Sequence, residues 1–186
     1  MKRAFDLCLA VPGLIILAPV IAVAAIAVRL DSRGPSIFAQ KRVGRDGVAF
    51  TLYKLRTMAQ ETVERPTHEV SANALTRVGD VLRRTKIDEL PQLLNVIRGD
   101  MSLVGPRPCL AGQTTLLEER ARRGVLAARP GMTGLAQVNG VDMSTPTLLA
   151  KIDAAYVATQ TFALDCRLIA ATVGVGRGPA IRRAVD

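Results

Sequence analysis

The apolar and polar positions divide the chain into a long uncharged run and a set of short amphipathic segments. Residues Leu7 to Val28 carry no charged side chain. At about 1.5 Å per helical residue, such a run is long enough to cross a bilayer core of roughly 30 Å. Pro12, Gly13 and Pro19 interrupt it, and a proline in mid-helix kinks or breaks the helix. Both flanks are basic, Lys2 and Arg3 before and Arg29 and Arg33 after, so loop charge favours neither orientation. A helix bent near Ala18-Pro19, entering and leaving on the cytoplasmic side, answers both observations if neighbouring protein covers the broken backbone. A straight span fits the hydropathy equally well. A cleaved signal peptide fits less well, because its apolar core usually runs to only about 7–15 residues.

Beyond this run the period changes. Ser36 to Val43 and Val48 to Leu55 have strand character, and Gly44-Arg45-Asp46-Gly47 between them is a hairpin turn signal. Residues Ala59 to Asn73 are polar, contain Pro66 and read as a mobile loop. Ala74 to Arg84 reads as a helix with Leu75, Val78, Val81 and Leu82 on one face. Next comes Thr85-Lys86-Ile87-Asp88-Glu89-Leu90-Pro91-Gln92-Leu93-Leu94-Asn95. Pro91 is tolerable only in the first turn of a helix. Asp88 and Glu89 therefore fall at or just before a helix start, behind Arg83, Arg84 and Lys86. The helix dipole and these cations both favour an ionised carboxylate and predict a lowered pKa.

The remaining segments alternate stiff turns with short elements. Gly105-Pro106-Arg107-Pro108 is a rigid non-helical turn, and Leu110 to Arg123 is a charged helix. Arg129-Pro130-Gly131-Met132-Thr133-Gly134 is a second rigid turn, and Leu135 to Gly140 is read as a short strand ending in a turn. Thr145-Pro146 opens a helix to about Thr161. Leu164 to Ala171 forms a further helix whose apolar face lies on a membrane surface or on the core. The fold class that follows is α/β and helix-rich, with a small β-hairpin. The apolar segment occupies 1–33 and the remaining domain 34–186.

Charge narrows the partners. A formal net charge of +9 points to a polyanion, whether nucleic acid, an anionic membrane or a phosphorylated substrate. Only 3% of residues are aromatic and none is Trp, which disfavours base-stacking nucleic-acid binding. Cys8, Cys109 and Cys166 are odd in number and lack metal spacing, as expected of reduced cytosolic thiols. His68 is the single histidine, so an HExxH zinc site is excluded. Two adjacent carboxylates beside cations suit a nucleophile or a metal ligand, or ordinary helix capping. A stiff turn presenting Arg107 suits bidentate phosphate binding, and a linker with a solvated arginine is the simpler alternative. Lys41, Arg42, Arg45, Lys54 and Arg56 cluster on the hairpin, as phosphate contacts or as a charged sheet edge. Gly174-Val175-Gly176-Arg177-Gly178 lacks the strand-turn-helix setting of a dinucleotide loop.

Several motifs in fixed order carry a resemblance along most of the chain. They are the N-terminal apolar segment, Gln40-Lys41-Arg42-Val43-Gly44, Phe50-Thr51-Leu52-Tyr53-Lys54-Leu55-Arg56-Thr57-Met58 and Thr76-Arg77-Val78-Gly79. Ile87-Asp88-Glu89-Leu90-Pro91-Gln92-Leu93, Gly99-Asp100-Met101-Ser102-Leu103-Val104-Gly105-Pro106-Arg107-Pro108 and Arg129 to Gly140 complete them. The chain resembles the bacterial sugar transferases, the small monotopic phosphoglycosyl transferases.

That resemblance implies transfer of a sugar 1-phosphate from a UDP-sugar to polyprenol phosphate, in particular undecaprenyl phosphate, with release of UMP. It implies Mg²⁺ and an Asp-Glu pair, with Asp88 as nucleophile and metal ligand and Glu89 as a base or orienting group. By motif position Arg83, Arg107, Lys54 and Arg56 become phosphate contacts, and Gln137 and Asn139 further substrate contacts. It also implies a re-entrant membrane helix bent at Ala18-Pro19, interfacial amphipathic helices and a place on the cytoplasmic face of the bacterial inner membrane, among its lipids. Two positions depart from the family pattern. Ala18 stands where many members have Ser before the bend proline, which removes a hydroxyl that could help the bend. Val141-Asp142 stands where many have Arg-Asn, which bears on one substrate contact or the choice of sugar. The chain looks like the minimal form of the family. A basic, membrane-anchored binding protein without catalysis is the alternative.

Overall fold

The computed structural model describes residues 1–59 and 75–174. The polar loop read in the sequence falls almost entirely on residues 60–74, outside the described residues, as do His68, Arg177 and the rest of the basic tail from 175 onward.

The uncharged run forms α1, Lys2–Asp31, a single helix of 30 residues. It continues through Pro12 and Pro19, so the expected helix hairpin over 1–33 is one unbroken helix. Each proline removes one N–H, leaving the carbonyls of Cys8 and Ile15 without their usual helical donor; the turns on either side remain helical. Both ends of α1 are fastened to the same body. At its start, Arg3 donates to the carbonyls of Val96 and Ile97, and the buried Asp6 accepts from Ser102 and Leu103. At its end, Asp31 accepts from the N–H of Val78 at 3.1 Å, and Ser36 Oγ donates to Ala25 O at 2.6 Å. Between these points Leu14 and Leu17 pack on the cluster of Ala10, Phe50, Leu52, Leu93, Val96 and Met101. Ala24 and Val28 join Leu55 and Leu82 in another cluster. The opposite face of the helix exposes Ile15, Ile16, Val20, Val23, Ile26 and Leu30.

The predicted hairpin is present as β1 (Ile37–Val43) and β2 (Ala49–Leu55), antiparallel from Ile37↔Leu55 to Val43↔Ala49. Its turn passes through Asp46 at φ 55°, a left-handed conformation that Asp tolerates better than most residues. The outer edge of β2 meets a side chain instead of a strand. Asn95, fully buried, accepts from Tyr53 N at 3.1 Å and donates to Thr51 O at 2.7 Å.

α2 (Arg77–Thr85) is capped by Thr76, whose hydroxyl accepts from Gly79 N. It lies so close to the end of β2 that a Cβ on Gly79 would stand 2.0 Å from Thr57 O. Residues Ile87–Gln92 form a 3-10 turn and Leu93–Arg98 the helix α3. The acidic pair thus opens a helical segment, as its spacing predicts, but the tighter turn carries Pro91 and α-helix begins only after it. A parallel pair follows that the sequence reading missed, β3 (Ser102–Val104) beside β4 (Gly131–Thr133), joined across α4 (Thr114–Arg122). Three-residue strands are too short to show a period in sequence. Leu135–Val138, expected as a strand, is the short helix α5. Its side chains Leu135 and Ala136 pack with α6 (Pro146–Thr159) and α7 (Phe162–Thr172), a burial that local propensity does not report. Thr145 precedes α6 as expected but makes no side-chain cap bond, whereas Thr161 caps α7 by accepting from Leu164 N.

Candidate active site

The acidic pair lies in a cleft of about 540 Å³ assembled from segments far apart in sequence. β1 and β2 contribute Arg42 and Lys54, α2 contributes Arg83, and the 3-10 turn contributes Asp88, Glu89 and Gln92. The turn after β3 adds Arg107 and Pro108, and β4 with α5 adds Met132, Thr133 and Gln137. Gly140, Val141, Asp142 and Thr172 complete the wall.

Each charged group is placed by a local device. Lys86 takes a left-handed conformation, φ 57°, which ends α2 and turns the chain so that Asp88 and Glu89 face the hairpin. The close approach at Gly79 puts Arg83 against β2, where its Nε donates to Thr57 Oγ1 at 3.0 Å. Arg107 is held between two prolines. Its carbonyl accepts from Arg120 Nη1 at 2.9 Å, and Arg120 is itself fixed by a buried ion pair with Asp153 at 2.7 Å. The Arg107 guanidinium donates to Glu89 Oε1 at 3.0 Å. Arg42 donates to Gln40 Oε1 and to the carbonyl of Pro108, so hairpin and turn are tied across the cleft.

The electrostatics correct the sequence expectation for Asp88. Its carboxyl is not pushed down but up, to about 6. Burial is the main cause and the Glu89 charge the next; Lys54, Arg83 and Arg107 oppose them without prevailing. At 7% exposure, desolvation outweighs the cations and the dipole that the sequence made visible. Lys54 moves down to about 8, through burial first and then the charges of Arg83 and Arg42. The cleft therefore holds an acid and a base whose pKa values are drawn towards neutrality, a pattern that marks functional sites.

Of the residues singled out in the sequence, Asp88, Glu89, Arg83, Arg107, Lys54 and Gln137 come together here. Arg56 does not. It is buried, and its guanidinium donates to the carbonyls of Arg33 and Ser32 and to Ser32 Oγ, which makes it a clamp on the chain leaving α1. Lys54 and Arg56 are two residues apart and should share a face of β2, but Arg56 lies just beyond the strand, where the alternation ends. Asn139 donates to Leu135 O at 2.8 Å as part of the turn after α5 and does not line the cleft. The sequence reading weighed Arg42 as a phosphate contact or a charged sheet edge and tied Val141-Asp142 to a substrate contact, but it did not select Lys86, Gln92, Thr133 or Thr172 as site residues. Thr133 lies inside a motif that it quoted, so motif membership was the available signal. Thr172 joins only through the tertiary packing of α7, where its hydroxyl lies 2.6 Å from that of Thr133.

Divalent-ion binding can be judged from the donor set. Among the described residues no group of three or more His, Cys, Asp or Glu could hold a metal by itself. Two adjacent carboxylates whose mutual repulsion raises Asp88 nevertheless fit Mg²⁺, which is usually bound through one or two carboxylates, substrate phosphates and water.

The bacterial sugar transferase family matches residues 1–177 of this chain. A UDP-glucose:undecaprenyl-phosphate glucose-1-phosphate transferase of Caulobacter vibrioides is 40% identical, over 92% of this chain and 68% of that protein. The exopolysaccharide production protein PSS of Rhizobium leguminosarum bv. phaseoli is also 40% identical, over 93% of each chain. A UDP-N-acetylgalactosamine-undecaprenyl-phosphate N-acetylgalactosaminephosphotransferase of Aeromonas hydrophila is 33% identical, over 93% of this chain and 43% of that protein.

Proposed function

Because this chain belongs to the bacterial sugar transferase family, we propose that it moves a sugar 1-phosphate from a UDP-sugar to undecaprenyl phosphate and releases UMP. This is the first membrane step in building a lipid-linked glycan. The observation that carries the reading is the cleft itself, in which Asp88 stands among Lys54, Arg83 and Arg107. Phosphoryl transfer asks for positioning and charge neutralisation more than for elaborate covalent chemistry.

In the proposed reaction a carboxylate oxygen of Asp88 attacks the β-phosphorus of the UDP-sugar. The bond from that phosphorus to the α–β bridging oxygen breaks, and UMP leaves with the oxygen. An oxygen of the lipid phosphate then attacks the same phosphorus and breaks the acyl phosphate bond, which regenerates the Asp88 carboxylate. The cations of Lys54, Arg83 and Arg107 offset the charge on the phosphoryl oxygens. Glu89 orients Arg107 through their ion pair. Asp88, with Glu89 beside it, would hold Mg²⁺, which supplies charge neutralisation at the phosphates. Burial serves the chemistry twice: it makes the Asp88 carboxylate more basic, and therefore more nucleophilic, while leaving it ionised at neutral pH.

The same reading places the protein on the cytoplasmic face of the inner membrane, with α1 inserted from one side. Three features support it: the length and apolar composition of α1, an outer face of aliphatic side chains, and attachment of both helix ends to one body. Ala10 and Val28 belong to the buried core, which speaks against a segment removed as a signal peptide.

The test omits the lipid. Enzyme mixed with Mg²⁺ and a UDP-sugar labelled in the sugar should retain label and release UMP, and Asp88→Asn should do neither. UDP-glucose and UDP-N-acetylgalactosamine, the donors in the relatives' names, come first in the screen. Lipid product formed without any label retention or lipid-free UMP release would favour direct transfer in a ternary complex, leaving Asp88 as a metal ligand.

A further inference from the structure

We propose that Asp6, in the second turn of α1, is a positioning residue for Arg107: by holding β3 it sets where that guanidinium stands over Asp88 and Glu89. The proposal rests on the transferase reading above. It would make the first turns of the membrane helix a working part of the site as well as an anchor.

Asp6 is 1% exposed, and a buried carboxylate persists only where hydrogen bonds and charge compensate it. Its Oδ1 accepts from Leu103 N at 3.2 Å and from Ser102 Oγ at 3.1 Å. Lys2 Nζ lies 3.4 Å from that oxygen and 2.8 Å from Asp165 Oδ2. The other oxygen of Asp165 accepts from Tyr156 OH at 2.7 Å, and the same hydroxyl is 3.1 Å from Val104 O. All of β3, from Ser102 to Val104, is therefore gripped by one charged network that begins on α1.

There is little slack between that grip and the site. After Val104 the chain passes directly through Gly105 and Pro106 to Arg107. Gly105 is walled in: a Cβ there would stand 2.5 Å from Arg129 O. Its N–H donates to Thr133 O at 2.8 Å, and Pro106 O accepts from Gly131 N at 2.9 Å. Proline fixes its own φ. A displacement of β3 is thus carried to Arg107 instead of being absorbed on the way.

A double-mutant cycle separates positioning from mere stabilisation, since residues acting through one another are not additive. It uses the full chain in lipid nanodiscs, with UMP release as one readout and calorimetric affinity for UDP as the other. Asp6→Ala is expected to lower kcat/KM about 30-fold in the native background but less than about 3-fold when Arg107 is already Ala. UDP affinity should show the same asymmetry. Asp6→Asn keeps an acceptor for Leu103 N and should stay within about 3-fold of the parent. Equal losses in both backgrounds, or an Asn variant as impaired as the Ala variant, overturn the proposal. If Asp6→Ala does not fold, Ser102→Ala replaces it in the same cycle, and equal losses there overturn the proposal in the same way. Absence of UMP release from the parent would count against the transferase reading, while the UDP-affinity cycle still decides the role of Asp6.

Discussion

Arg107 donates to Glu89 Oε1 at 3.0 Å, so the cation at the edge of the cleft is held by the neighbour of the proposed nucleophile. The pair is modest as a source of stability, because Arg107 is 42% exposed before any substrate arrives. Its value lies in where it leaves the guanidinium. Arg107→Ala is expected to lower kcat/KM by about 2 kcal/mol, or about 30-fold, the lower end for a charge contact that becomes desolvated on binding. Arg84→Ala is the control, because Arg84 is 78% exposed and its partner among the described residues is Asp80 on its own helix. It should change turnover by less than about 2-fold. Equal effects of the two changes, measured as UMP release, would reduce Arg107 to a solvated turn residue.

Asp88→Asn should abolish turnover and at the same time make the protein more stable. The Asp88 carboxyl is raised from 3.8 to about 6 in the folded state, so the native protein disfavours its ionised form. Below pH about 4 both states hold the proton and the site costs nothing. As pH rises through about 6 the native state loses stability, by about 3 kcal/mol at most. Denaturant unfolding with EDTA present should show a gain for the Asn variant at pH 7.5 that vanishes near pH 4. A variant less stable than the parent at pH 7.5 would refute the burial argument.

Activity should be bell-shaped in pH. Turnover needs ionised Asp88, so kcat/KM rises as pH passes about 6. It needs charged Lys54, whose pKa lies at about 8, so the profile falls above that. An arginine stays charged throughout this range. Lys54→Arg should therefore flatten the alkaline limb while leaving the acidic limb in place; an unchanged alkaline limb would assign it to another group.

Gly79→Ala should destabilise the protein despite the better helix propensity of Ala. The new Cβ would meet Thr57 O at 2.0 Å, so α2 has to move away from β2. Overpacking of this kind costs typically about 1–3 kcal/mol, more than the roughly 1 kcal/mol that Ala gains over Gly in a helix. The shift also withdraws Arg83 from Thr57, so the UDP-sugar KM should rise together with the loss in melting temperature. A stabilised variant with native KM would contradict this.

The membrane reading predicts one-sided access. In a Cys-free background, single cysteines at the exposed positions Ala4 and Arg33 should both resist an impermeant thiol reagent applied outside intact cells. Labelling of position 4 alone would show a crossing helix.

Much of this was legible from sequence because the signals were local. The hairpin announced itself through alternation around Gly44 to Gly47, and the acidic pair through the position of Pro91. Arg83, Arg107, Asp88, Glu89 and Lys54 all reach the cleft. Arg56 was misplaced because a motif names neighbours without saying where the strand ends. The sign of the Asp88 shift was missed for a related reason. Its cations are visible in the chain, whereas the desolvation that outweighs them exists only after folding. The β3–β4 pair and Thr172 depend on contacts between segments far apart in sequence, and no window of residues contains them.

Asn95 has a consequence for how the molecule behaves among its own copies. A two-stranded ribbon ordinarily ends in a row of open amides and carbonyls, an invitation to pair with another ribbon. Here one carboxamide satisfies Tyr53 N and Thr51 O together, so a single side chain serves as the missing strand. Crowding on a membrane surface raises the chance that ribbons meet edge to edge. On the β2 side the protection against that encounter comes from one residue of α3, because Asn95 already occupies the place that a further strand would take there.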